Sequence, residues 1–89
     1  MAPEGDASMA MPDTASEREN LAKADRDIVE GEERITRQMI LIERMRQDGH
    51  DVTDAESLLL TLRETLAAWQ AHRDEILREL ARQETMRPH

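Results

Sequence analysis

Apolar residues recur along most of this chain in alternating steps of three and four. The series Leu21, Ala24, Ile28, Gly31, Ile35, Gln38, Ile42 and Met45 is a heptad seam. Leu or Ile fills every a position, and the d positions are small or polar up to Met45. A second series starts at Val52 or Ala55 and continues through Leu59, Leu62, Leu66, Trp69, Arg73, Ile76 and Leu80. The two are out of step. A single continuous helix would put Gly49 and Glu56 on the seam after Ile42, so the heptads themselves predict a break at Gly49.

The stretch Arg46–Glu56, RQDGHDVTDAE, holds a stop signal followed by a start signal. Gly49 can close a helix in the left-handed conformation, and His50 beside it is placed to help cap the corner. Thr53 and Glu56 have the S/T-x-x-E spacing of a capping box. The Thr53 hydroxyl would accept from the Glu56 N–H, and the Glu56 carboxylate would reach back to the Thr53 N–H. Asp54 and Glu56 add negative charge at the positive end of the new helix. Upstream, Ser16 with Glu19 gives another capping box, and Thr14 with Glu17 gives an alternative start two residues earlier. The expected organisation is an N-terminal tail over 1–15, helix 1 over about 16–48, a corner at 49–53, helix 2 over about 54–85, and a tail at 86–89. The first tail mixes Pro, Gly, Ala and acids without period, which predicts disorder; Met9 and Met11 are its only candidate docking residues. Arg82, Arg87 and Pro88 suit the end of helix 2.

Each helix has about thirty residues, roughly 45 Å at 1.5 Å per residue. Equal helices joined by a short corner fold back as an antiparallel hairpin, so the predicted class is all-α and coiled-coil-like. A tight corner makes facing residue numbers sum to about 100–104. Leu21 is then expected near Leu80, Ile28 near Ile76, and Ile42 near Leu59 or Leu62. Trp69 falls beside Gly31 and Ile35, with Gly31 as the recess for its indole. On the surface, Glu19/Lys23, Glu30/Arg34 and Glu33/Arg37 are spaced as i,i+4 ion pairs.

Composition narrows the function. The chain has 89 residues, a formal net charge of −8, one aromatic residue and no cysteine. The acidic balance opposes direct binding to nucleic acid or anionic membrane. No apolar run reaches the length of a membrane span, and no basic region followed by an apolar core marks a secretory leader. Lack of cysteine removes disulfides, thiolate nucleophiles and cysteine zinc sites, and is compatible with a cytoplasmic location. His50, His72 and His89 are not spaced as metal ligands. Ser8, Ser16 and Ser57 have no triad arrangement, and no phosphate-binding glycine loop occurs. Neither catalysis nor a cofactor is expected. Arg34, Arg37, Arg44 and Arg46 form a basic stretch that reads as a salt-bridged solvent face.

The anomaly is apolar. Met39, Ile40 and Leu41, followed across the corner by Leu58 and Leu60, are hydrophobic outside the seam. Ile40 takes an f position and Leu60 a b position, which one hairpin cannot cover. Patches of that kind mark interfaces.

Asp48-Gly49-His50-Asp51, Ala55-x-x-Leu58-Leu59-x-x-Leu62 and His72-Arg73-Asp74 resemble a group of short bacterial helical-hairpin proteins. The similarity covers roughly Glu17 to Arg82. It implies a capped helical hairpin and carries over no activity. The expected function is therefore a non-catalytic interaction module, a homodimer forming a four-helix bundle that engages a protein partner. The competing expectation is a small acidic regulator, antitoxin-like, acting on a nucleic-acid-handling protein. Acids interleaved with arginine, without an unbroken acidic stripe, favour the first.

Overall fold

The computed structural model describes residues 14–86, and the tail assignments for 1–13 and 87–89 lie outside them. Two helices, α1 (Thr14–Gln47) and α2 (Thr53–Met86), pack against each other as a hairpin. α1 already runs at Thr14, so the Ser16 box lies within the helix. Every seam position inferred from the heptads is buried or half-buried, from Leu21 to Met45 and from Val52 to Leu80. The core is one layer thick. Among the described residues only Ala24, Ile42 and Ile76 are buried, at 1%, 5% and 5% exposure.

Two polar residues within the seam are satisfied across it. Gln38 Nε2 donates to the Ala55 carbonyl at 2.9 Å, and the stem of Arg73 lies in the seam while its guanidinium pairs with Asp25. Sliding α2 would cost the half-buried Gln38 its partner, so this bond favours the observed register.

The corner closes through the backbone. Gly49 has φ +77°, the left-handed conformation. The His50 N–H donates to the Met45 carbonyl at 2.8 Å and the Gly49 N–H to the Arg46 carbonyl at 3.1 Å. That pairing is the Schellman closure, which satisfies the orphan carbonyls of α1. The start of α2 differs from the expected capping box. The Glu56 N–H bonds the Val52 carbonyl at 2.8 Å, and the Glu56 carboxylate pairs with Arg46. Asp51 does the capping: its Oδ1 accepts the Thr53 N–H at 2.9 Å and the Thr53 hydroxyl at 2.7 Å. These bonds favour the charged carboxylate and hold the Asp51 pKa below its usual value. Two residues before the Thr, Asp51 forms an Asx turn that competes successfully with the box.

At Gly31 the neighbour across the seam differs by one helical turn from the one expected. A Cβ placed on Gly31 would meet Leu66 Cδ1 at 3.4 Å, with no atom of Trp69 within 4 Å. Ile28 lines a surface recess together with Gln70 and Arg73. Pairs flanking the seam do satisfy the expected sum: Arg18–Glu84 at 3.7 Å, Arg46–Glu56, and Arg63 with the Met39 sulfur at 3.8 Å. Helical side chains slope back toward their own N-terminus. In an antiparallel pair, long flanking side chains therefore meet from residues set further along each helix than the facing seam residues.

Candidate functional site

The surface divides into two broad faces, because helical periodicity places b and e positions on one side of a hairpin and c and g positions on the other. Cross-helix contacts fix which is which. Arg18–Glu84, Asp25–Arg73, Met39–Arg63 and Arg46–Glu56 lie on the b/e face. The three ion pairs among them are exposed and add little stability each, while the Arg63 guanidinium donates to the neutral Met39 sulfur.

The opposite face holds the indole. Trp69 is half-buried, with the Lys23 ammonium 5.2 Å from its ring centroid and the His72 ring edge-on at 5.8 Å. Lys23 also pairs with Asp27 at 2.9 Å, turning away from the expected Glu19. Glu30–Arg34 and Glu33–Arg37 are not joined among the described residues; Glu30 and Arg34 line the recess beside Trp69 and Gly31. Thus Trp69 and Gly31 border one surface recess without stacking on each other, and Ile35 stays half-buried in the seam.

The five aliphatics singled out in the sequence are exposed: Met39 and Ile40 at 48%, Leu41 at 46%, Leu58 at 49% and Leu60 at 59%. The fold brings them to the corner end but not onto one plane. Met39 and Leu60 belong to the b/e face, Leu41 and Leu58 to the c/g face, and Ile40 to the outer back of α1. Val29 at 51% and Leu77 at 38% are further exposed apolar residues on the b/e face, missed because each directly follows a seam isoleucine, Ile28 or Ile76, and forms no longer apolar run. Their signal was positional: Val29 is a b position and Leu77 an e position. His50, Gly49 and Thr53 at the corner are solvent-exposed, and the Arg82 and Gln83 hydrogen bonds to Glu79 lower that carboxyl's pKa at the other end.

Among the described residues no group of three His, Cys, Asp or Glu side chains could hold a metal ion, and no helix is long and apolar enough to cross a membrane. What the arrangement offers chemically is surface: apolar strips bordered by arginine and carboxylate. The molecule is therefore an antiparallel helical hairpin with unpaired apolar faces. Within that class, comparison with protein-family models, curated proteins and solved structures produced no match.

Proposed function

We propose that the chain is a non-catalytic interaction module that dimerises into a four-helix bundle and binds a protein partner, in keeping with its resemblance to bacterial helical hairpins. The carrying observation is the exposure of Met39, Ile40, Leu41, Leu58 and Leu60, 46–59%, in a hairpin that, among the described residues, buries only Ile42 and Ile76 of its larger side chains. A chain of this size with a core one layer thick needs a further staple, and association supplies it. Aliphatics exposed on both faces at the corner end leave surface for a second protein after one face is covered.

Sedimentation equilibrium at micromolar concentration tests the first half and should give twice the chain mass. A folded monomer there overturns it. Ile40→Glu combined with Leu60→Glu should dissociate the assembly or abolish partner binding while helicity persists. Unchanged assembly and binding would show that these aliphatics are ordinary surface.

A further inference from the structure

We infer, resting on the binding role proposed above, that the corner half of the c/g face takes an acidic amphipathic segment of another protein. Between Glu30 and Asp48, the c and g positions of α1 are Arg34, Arg37, Leu41 and Arg44. On α2, no carboxylate stands at a c or g position between Asp54 and Glu75. A chain of net charge −8 thus carries one cationic patch here. Its three arginines are exposed, and none has an ion pair among the described residues. Glu30 beside Arg34 and Glu33 beside Arg37 share recesses with them without pairing. On the other face, Arg18, Arg46 and Arg73 each hold a carboxylate, and Arg63 holds the Met39 sulfur. Of the basic stretch expected to be salt-bridged, only Arg46 is so.

Leu41 and Leu58 stand amid these arginines, 46% and 49% exposed. Each falls between the levels fixed by Met39–Arg63 and Arg46–Glu56, so the two lie side by side across the seam. At 1.5 Å per residue, Arg37 is about 6 Å from Leu41 along α1 on one side, and Arg44 about 4.5 Å on the other. The complementary surface is an apolar side chain with carboxylates about one turn away on both flanks. Arginine suits that partner. Its planar fork pairs carboxylates bidentately, and covering the leucines would take those pairs out of high-dielectric water. Nucleic acid and anionic membrane fit less well. The net charge repels polyanions, and no Phe, Tyr or Trp stands among these positions to stack on bases.

Fluorescence anisotropy on the full chain tests this with a labelled helical peptide carrying paired leucines flanked one turn away by glutamates. A twin peptide has lysine for glutamate. The glutamate peptide should bind and the lysine peptide should not, although the net charge of the protein favours the reverse. Arg34→Glu combined with Arg44→Glu should weaken binding about tenfold, as should Leu41→Ser combined with Leu58→Ser. Arg18→Glu combined with Arg63→Glu changes the net charge equally on the other face and should leave binding unchanged. Circular dichroism checks that each variant is helical. Preference for the lysine peptide overturns the inference, as does tighter binding of phosphatidylserine vesicles or single-stranded DNA through Arg34 and Arg44. So does dissociation of a dimer by the Arg34 and Arg44 reversal, which would make the face a contact between copies. Glutamate-peptide binding that ignores these arginines, or weakens equally with either arginine pair, overturns the surface and leaves the binding role standing. A protein that binds neither peptide and sediments as a folded monomer overturns both.

Discussion

The corner and the middle of the seam were read from the same sequence by the same rules, and they behave differently. At the corner, the groups that decide the structure lie within a few residues of one another. Gly49, with φ +77°, and the bonds from His50 and Gly49 to Met45 and Arg46 are local chemistry. In the middle, Gly31 contacts a residue on the other helix. Its partner depends on how two whole helices slide, and a slide of one turn exchanges Trp69 for Leu66. Local motifs specify conformation; register is specified by the summed fit of many weak layers, plus the few polar contacts that tolerate no alternative.

Gly31→Leu puts the sharpest pressure on that comparison. With Leu66 against the site, the added volume should cost about 1–3 kcal/mol in thermal or urea unfolding. Leu66→Ala should recover part of the loss, and Trp69→Leu should be additive with it. The opposite pattern of rescue would restore the register inferred from the corner length. Gly31→Ala has the other sign: a 3.4 Å approach to a terminal methyl is ordinary contact, so the gain in helix propensity, up to about 1 kcal/mol, should appear as added stability.

Gly49→Ala should cost about 1–2 kcal/mol, the penalty for a left-handed L-residue. Nothing lies within 4 Å of the new methyl, so the loss is conformational and no second-site truncation should rescue it. A rescuable loss would mean the corner, too, is held by packing.

Asp51 makes a smaller, pH-dependent contribution. Its folded pKa is lowered by the Thr53 bonds, so the stabilisation is fully present above the unfolded carboxylate value, about 3.9, and is lost as pH falls through the folded value. Asp51→Ala should lower Tm at pH 7, and its gap from the native protein should close below about pH 4. A gap that stays constant with pH would assign the effect to the turn shape rather than to charge.

Smallest is the contact of the exposed Lys23 ammonium with Trp69, about 0.5 kcal/mol. A double-mutant cycle of Lys23→Gln with Trp69→Leu should show that coupling, placing the indole one turn from Gly31.

Much of the fold was legible because it is periodic. The seam from Leu21 to Leu80 is half-buried or buried at every inferred position, since heptad spacing and helix geometry are two statements of the same angle. Helix bounds differ by one or two residues, as Thr14 and Gln47 show for α1. The Thr53 box was misread because Asp51 competes for the same N–H, and spacing rules do not rank two acceptors. The exposed aliphatics at the corner stood out as runs. Val29 and Leu77 did not, because each follows a seam isoleucine, and an apolar residue one step off the seam acquires meaning only when the other helix supplies its neighbours.

The closed corner also sets an order of events in time. Joining Gln47 to Thr53 closes a very short loop, whereas bringing Arg18 to Glu84 closes nearly the whole hairpin. Loop entropy rises with length, so the Ile42 end is the cheap place to begin and the open end joins last. The hairpin therefore zips. Disturbing Gly49 or Ile42 should slow folding, whereas disturbing Arg18 or Glu84 should hasten unfolding and leave the folding rate almost untouched.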